Sequence, residues 1–354
     1  MTILTINPGS TSTKIAVFKE DKGLKEVFSK TIRHSSNELS PFKDIIDQYE
    51  FRKKLIEKEL IENKINSLDA VVGRGGLLKP IESGTYEVNE KMIEELKKAI
   101  NGEHASNLGA ILAKEISKDY NCPAFIVDPV VVDELDEIAR ISGMPEIERK
   151  SIFHALNQKA IARRASEKIK KSYDQANLVI AHLGGGISVA AHNKGRIVDV
   201  NNALDGDGPF SPERSGQVPV GDLLKLAFSG KYTHEELKKK ITGQGGVVAY
   251  LGTNNMLEVK EMIKKGDKKA KLVYEAMAYQ VSKEIGAMAT VLKGKVDSIV
   301  ITGGIAYDED FISLIKERVS FIAPIIVLPG EDEMLALAEG GYRVLKGIEK
   351  AKQY

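Results

Sequence analysis

Two short turns carry the residues most suited to chemistry: Asn7-Pro8-Gly9-Ser10-Thr11-Ser12 and His182-Leu183-Gly184-Gly185-Gly186. Each lies between two apolar runs, so each reads as the turn of a β-hairpin. A turn of this kind offers backbone N–H groups and hydroxyls to an anion, and glycine lets a phosphate approach the main chain. One such loop alone is more often a tight turn than a phosphate site. Two of them, on facing duplicated halves, fit a polyphosphate held across a cleft. Lys14 adds a cation beside the first loop, or is simply a solvated strand lysine. Arg74, in Gly73-Arg74-Gly75-Gly76, and Arg214, in Pro212-Glu213-Arg214-Ser215-Gly216, sit in Gly-rich loops. There a planar guanidinium can grip carboxylate and phosphoryl oxygens in pairs, although a surface salt bridge is the competing reading. Asp128 ends an apolar run directly before Pro129, a position that faces the cleft of an open α/β sheet. The P-loop, the Rossmann glycine fingerprint, HExxH and GxSxG are all missing.

The elements that must position these residues come in matched pairs. Ile3–Ile6 and Lys14–Phe18 flank the first turn, and Leu178–Ala181 and Ile187–Ala191 flank the second. The run 68–73 is echoed by 297–303, and 125–129 by 325–329. Three matched pieces in one order predict an internal duplication of a mixed α/β unit, with chance similarity among valine-rich strands as the alternative. Between the strands lie amphipathic helices. Asn89 is expected to cap one whose stripe is Met92, Ile93, Leu96 and Ile100, Ser151 another running to about Ile169, and Thr233 a short third. Val273, Met277, Val281, Ile285 and Ala289 mark the longest, and a last helix runs from about 333 to 351. The halves are expected to divide into residues 1–147 and 148–333, with 334–354 returning to the first.

Composition narrows the function classes. A chain of 354 residues exceeds a single core, which stops growing near ~250–300 residues. With 51 basic and 50 acidic side chains the balance of +1 argues against a nucleic-acid partner. The basic clusters 52-RKK and 238-KKK read as solvated helix faces. Cys122 is the one cysteine, so a reducing, cytoplasmic setting is expected. No apolar run approaches the ~18 residues of a membrane span, and the first residues do not read as a signal peptide.

INPGSTSTKIAVF, VVGRGGLLKP, HASNLGA, FIVDPVVVDE, SIFHALNQKAIARR, AHLGGGISVAAH, NNALDGDGPFSPERSG and VITGGIAYD together resemble the acetate kinase family, and within it the butyrate kinase branch. The resemblance covers nearly the whole chain. It implies an α/β fold of two duplicated actin-like (ribonuclease H-like) domains with mixed sheets and an ATP cleft between them. It implies reversible, Mg²⁺-dependent phosphoryl transfer from ATP to the carboxylate of butyrate, giving butyryl phosphate and ADP. Isobutyrate, propionate or acetate are alternative acceptors, and a sugar kinase of the same fold is a more distant one. A homo-oligomer with small-molecule substrates, and neither nucleic acid nor membrane as partner, is also implied.

The resemblance assigns roles residue by residue. Arg74 corresponds to the carboxylate-binding arginine, with His104 a further active-site residue near it. Arg214 and His154 correspond to the groups that stabilise the transition state, and Asp128 to the catalytic aspartate. Asn7, Gly9, Ser10, Ser12, Lys14, His182, Leu183, Gly184, Gly185 and Gly186 become ATP contacts, with Gly303, Gly304 and Ile305 as the adenosine loop. Asn7 and Glu333 stand nearest the metal, with Glu331 as a neighbouring candidate. A carboxylate acceptor, with a pKa near ~4–5, arrives ionised at pH 7 and needs no general base. Catalysis then consists of neutralising an anionic nucleophile and an anionic phosphate. Two departures from acetate kinases stand out. Gly75-Gly76 replaces paired valines and is expected to leave room for a longer acyl chain. The acidic–arginine nucleotide motif is not evident in 253-TNNML.

Overall fold

The computed structural model describes residues 1–354, which form two units. One comprises Met1–Val132 with Asp332–Tyr354, and the other Asp133–Glu331. Residues 133–147, read from sequence as part of the first half, bond into the second unit. Asp136 N–H donates to Val198 O at 3.0 Å, and Lys159 pairs with Glu134 at 2.6 Å. The final helix belongs to the first unit, and Lys352 N–H donates to Thr85 O at 2.8 Å.

In the first unit the strands are β1 (Thr2–Pro8), β2 (Ser12–Glu20), β3 (Leu24–Arg33), β4 (Ala70–Gly73), β5 (Thr85–Glu87) and β6 (Ala124–Val127). They form one mixed sheet in the order β3-β2-β1-β4-β6-β5, antiparallel through β1–β3 and parallel from β1 to β4 to β6. Leu4, Ile6, Ile15, Val17, Val71 and Ile126 pack one sheet face against helices Tyr49–Glu62 and Asn107–Asp119. The helix Glu333–Leu345 contributes buried Ala336, Leu337, Ala338, Gly340 and Gly341. A Cβ on Gly340 would lie 2.4 Å from Val127 Cγ2, so glycine sets how closely that helix approaches β6.

The second unit repeats the pattern with β7 (Asn177–Leu183), β8 (Ile187–Asn193), β9 (Arg196–Val200), β10 (Ser298–Gly303) and β11 (Ile325–Pro329). Its order is β11-β10-β7-β8-β9, again an antiparallel meander followed by two parallel additions. Laid over the first sheet, β7–β9 take the places of β1–β3, β10 that of β4 and β11 that of β6. This is the duplication expected from the paired runs, and β5 is the one strand without a counterpart. β7 and β8 are buried almost end to end, because helices cover both faces. On one side the helix Lys268–Val291 buries Val273, Met277, Val281, Ile285 and Ala289 against them. On the other lies the helix Ala155–Lys168.

Several local expectations shift. The helix expected to start at Ser151 begins at Ala155 with His154 as its cap residue, because 151–154 is held in an irregular segment that buries Phe153. Ile100 lies beyond the helix Glu90–Lys97 and is exposed; Ala99, at φ 48°, has already broken the helical path. The last helix stops at Leu345, ahead of Gly347 at φ 70°. Arg52 does not belong to a solvated face, being only 1% exposed. No helix is long and apolar enough to cross a membrane.

Candidate active site

The expected site residues form one set in each unit. In the first, the turn after β1 closes with Gly9 N–H donating to Ser12 O at 2.7 Å. Beneath it lies the Arg52 guanidinium. Its Nη1 donates to Gly9 O (2.8 Å), Ser12 O (3.0 Å) and Thr13 Oγ1 (3.0 Å), and its Nη2 to Ser10 O (3.1 Å). Gln48 Oε1 accepts from Nε and Nη2 and fixes the plane of the fork. With its carbonyls drawn toward Arg52, the loop keeps its exposed side for Ser10 and Thr11, and Lys14 is also exposed. Thr13 Oγ1, accepting from Arg52, also shares a hydrogen bond with His34 Nε2 at 2.9 Å. Burial first, and then the Arg52 charge, push the His34 pKa down to about 4.

Arg74 follows β4, and its N–H donates to Ile6 O at 2.8 Å. The start of the helix Asn107–Asp119 presses on this segment, since a Cβ on Gly73 would meet Gly109 O at 2.1 Å. Nη1 of Arg74 pairs with Glu333 Oε1, and Asn7 Nδ2 donates to Glu333 Oε2 at 2.8 Å. Asn7, Arg74 and Glu333 are therefore one cluster. Glu331 lies in the second unit beside His182. Asp128 is buried at φ 38°, a left-handed conformation unusual for a side chain held just before proline. Its Oδ1 accepts from Ser83 Oγ (2.6 Å) and Gly84 N–H (2.8 Å). His104 Nδ1 accepts from Ser106 N–H at 3.2 Å, so the ring proton sits on Nε2 in the neutral form. Burial, then Arg74, lowers its pKa and keeps it neutral.

Gly75 and Gly76 open no acyl pocket. A Cβ on Gly76 would lie 2.5 Å from Asn107 Cα and 2.8 Å from Leu96 Cδ2. One on Gly75 would lie 2.5 Å from Pro129 Cβ. The space that the paired valines would fill is already taken by the chain's own backbone and side chains, which corrects the sequence expectation.

In the second unit His182 and His154 stack with centroids 3.9 Å apart and planes 17° from parallel. Asn157 Oδ1 fixes His182 Nδ1 at 2.8 Å. His182 Nε2 lies 3.0 Å from Glu331 Oε1 but out of hydrogen-bond alignment, so the contact is one of proximity alone. His154 Nδ1 meets Ser188 Oγ at 3.0 Å. Arg214 lies flat against the triple-glycine turn: a Cβ on Gly186 would fall 1.9 Å from its Nη1. Nη1 donates to Ala203 O, while Nε is buried without a partner. Burial lowers the Arg214 pKa, but a guanidinium remains charged. An orphaned buried donor on a cation beside a glycine turn is what an anion site offers when its ligand is a phosphate.

Next to this turn is a cleft of about 490 Å³ lined by Gly184, Gly185, Asn254, Met256, Gly304 and Ile305 among others. Gly303 permits it. At φ 92° its Cβ would strike Leu183 O at 2.3 Å, so β10 and the glycine turn can approach only through glycine. Asn254 Nδ2 donates to Glu213 Oε1 at 2.7 Å, and Lys260 bridges Asp308 (2.6 Å) and Asp310 (2.8 Å) at its rim. The 253-TNNML segment thus lines the cleft, although its residue types gave no nucleotide signature. Arg52, Asn157, Gln158 and Ser188 were also missed by sequence reasoning. Asn157 and Gln158 had a signal: they stand three and four places after His154, on one face of a helix.

The acetokinase family pattern matches residues 146–323. Butyrate kinase 1 and butyrate kinase 2 of Clostridium acetobutylicum are each 60% identical to this chain over 354 residues, covering 99% of it and 99% of each relative. Among solved structures, Porphyromonas gingivalis acetate kinase gives a TM-score of 0.78 at 21% identity, covering 97% of this chain and 99% of that one. A propionate kinase from Francisella tularensis subsp. tularensis SCHU S4 gives 0.75 at 20%, covering 96% and 98%. At those identities the likeness speaks for the fold, a pair of actin-like domains. With sequence identity of 60% across the full length, the chain belongs to the acetokinase family.

Proposed function

We propose that the chain is a butyrate kinase, transferring the γ-phosphoryl group of ATP reversibly to the carboxylate of butyrate. The full-length identity to two enzymes of that name carries the choice of acceptor. The site chemistry supports the reaction class. Butyrate arrives ionised, so the reaction needs positive charge and hydrogen-bond donors rather than a base. Arg74 uses only Nη1 on Glu333, and its Nε and Nη2 make no other hydrogen bond, so a fork of donors is available to the acceptor carboxylate. Neutral His104, which feels the Arg74 charge, adds Nε2–H. The orphaned Nε of Arg214, with His154 and His182 stacked in the same unit, serves the charge spreading over the migrating phosphoryl group. Asp128, carrying two hydrogen bonds on one oxygen, orients rather than abstracts a proton. Ser10, Ser12, Lys14 and Gly9, and Leu183 with Gly184–Gly186, take the phosphates. Gly303, Gly304 and Ile305 take the adenosine.

Mg²⁺ fits the Asn7–Glu333 pair. No group of three acidic, histidine or cysteine side chains is assembled, and magnesium bound to nucleotide needs only one or two protein oxygens because it keeps its waters. Asn7 through its Oδ1, and the Glu333 carboxylate, whose oxygens here accept from Arg74 Nη1 and Asn7 Nδ2, would hold the hydrated ion, which would supply charge neutralisation across the phosphates. A single cysteine, Cys122, with no intrachain disulfide partner, supports a cytoplasmic location. A homo-oligomer is supported by Val220, Leu224 and Phe228, exposed on one short helix and at its end.

The test is to incubate the protein with ATP, Mg²⁺ and single short-chain acids and to trap acyl phosphate with hydroxylamine. Hydroxamate is expected with butyrate and little with acetate. Absence of hydroxamate with every acid would end the proposal.

A further inference from the structure

A chain of polar side chains, buried between its two half-buried ends, runs from Tyr173 to His154 in the second unit. Tyr173 OH meets His192 Nδ1 at 2.8 Å, and His192 Nε2 meets Gln158 Oε1 at 3.0 Å. Gln158 Nε2 donates to Ser188 O (3.1 Å), Ser188 Oγ (3.2 Å) and Ile180 O (3.4 Å). Ser188 Oγ meets His154 Nδ1 at 3.0 Å. His192 and Gln158 are wholly buried, and so is Ser188.

The direction of the bonds from Gln158 through His192 to Tyr173 follows from one fixed point. Carbonyl oxygens only accept, so the Gln158 nitrogen must face Ser188 O and Ile180 O, and its oxygen must face His192. That oxygen requires His192 to donate from Nε2. His192 Nδ1 is then the acceptor, and Tyr173 OH donates to it. Burial among Lys159 and Arg163 holds the His192 pKa well below the ordinary value, consistent with one ring proton. At the other end Ser188 Oγ, within reach of Gln158 Nε2, keeps one proton and a second lone pair, and in the relay sense that proton is directed at His154. With the relay in that sense, Nδ1 of His154 is the accepting nitrogen and the ring proton lies on Nε2.

We propose that Tyr173, His192, Gln158 and Ser188 form a one-way hydrogen-bond relay that holds His154 as its Nε2–H tautomer. Gln158 and Ser188 are its positioning residues. The consequence for chemistry rests on the reading of His154 as a phosphoryl-stabilising group. A histidine kept as an Nε2 donor offers a hydrogen bond to a phosphoryl oxygen at every turnover, without first choosing a tautomer. His182 is fixed in the opposite sense, since Asn157 Oδ1 accepts from its Nδ1. The two stacked rings are thus set by separate partners.

The experiment uses the full chain with ¹⁵N-labelled histidine, and His154 is assigned from the spectrum of His154→Asn. In the wild-type protein His154 and His192 are expected to show protonated Nε2 and unprotonated Nδ1. Ser188→Ala should move His154 to a tautomer mixture and lower kcat about tenfold, the effect of one oriented hydrogen bond, with KM for ATP changed less than twofold. Ser188→Thr, which keeps the hydroxyl, should restore both. A wild-type His154 protonated on Nδ1, or a Ser188→Ala spectrum identical to wild type, overturns the relay. The wild-type spectrum decides even if a variant fails to fold. Full activity in His154→Asn would instead defeat the catalytic reading of His154, leaving the spectrum to judge the relay on its own.

Discussion

Replacing Arg52 by methionine keeps an unbranched stem and removes the guanidinium donors from beneath the turn after β1, the loop proposed to hold phosphate. The guanidinium holds three backbone carbonyls, those of Gly9, Ser10 and Ser12, at 2.8 to 3.1 Å. Hydrogen bonds from a charged group contribute about 1.5–3 kcal/mol each, so the three are worth very roughly 6 kcal/mol. Burial opposes this. The Arg52 pKa falls to about 10 from 12.5, a desolvation cost of roughly 3 kcal/mol at 1.36 kcal/mol per pKa step. The net, about 3 kcal/mol, is the expected loss for Arg52→Met, which leaves three loop carbonyls without their buried donor. Arg52→Lys should recover part of the stability but not the loop geometry, because one ammonium cannot span the carbonyls that a planar fork reaches. The assay is a urea unfolding midpoint together with KM for ATP and for butyrate. Both variants should raise KM for ATP at least tenfold, with a smaller effect on butyrate. A methionine variant of wild-type stability and unchanged KM for ATP would refute the reasoning.

Other predictions follow from single residues. Asp128→Asn preserves a side chain that tolerates the left-handed backbone and should fold normally, with kcat lowered about a hundredfold through lost positioning. Asp128→Ala should in addition lose about 1–2 kcal/mol to backbone strain, read from the unfolding midpoint. Gly76→Ala places a Cβ 2.5 Å from Asn107 Cα and should cost about 1–3 kcal/mol by overpacking; an unchanged melting temperature would show that Asn107 yields. His34 gives a pH dependence. Its folded pKa of about 4 lies below the unfolded 6.5, so the unfolded chain binds the proton first as pH falls. Its contribution, up to about 3 kcal/mol, is complete above pH 6.5 and lost progressively down to pH 4. His34→Gln should flatten the stability profile over that window, and an unaltered profile would remove His34 from the account.

The sequence made the glycine turns legible because glycine has a distinct physical cause. Gly186 and Gly303 are places where a Cβ would collide with Arg214 and Leu183, and such positions announce themselves by residue type. The paired strand runs were equally readable, since β1, β4, β7 and β10 are largely buried and each carries a short run rich in Ile, Leu, Val or Ala. β3 escaped notice because its pattern, LKEVFSKTIR, is mostly exposed and mixes charges with apolar residues at the sheet edge. Arg52 was hidden for a different reason. In 52-RKK three cations look alike, and only the fold decides that the first turns inward beneath a loop forty residues away in sequence. Ser151 looked like a cap because serine caps helices. Tertiary packing of Phe153 delays the helix and hands the cap position to His154. The Gly75-Gly76 expectation went wrong where volume was inferred from a missing side chain without knowing that Asn107 and Leu96 fill the space.

The central claim is that a carboxylate oxygen of butyrate attacks the γ-phosphorus of ATP. Butyrate labelled with ¹⁸O in both carboxylate oxygens, incubated with ATP, Mg²⁺ and the protein, tests this by ³¹P NMR. The account predicts an acyl phosphate resonance displaced by one bridging ¹⁸O, growing as ADP appears. Phosphate released without that resonance, or an acyl phosphate lacking the isotope shift, would contradict it.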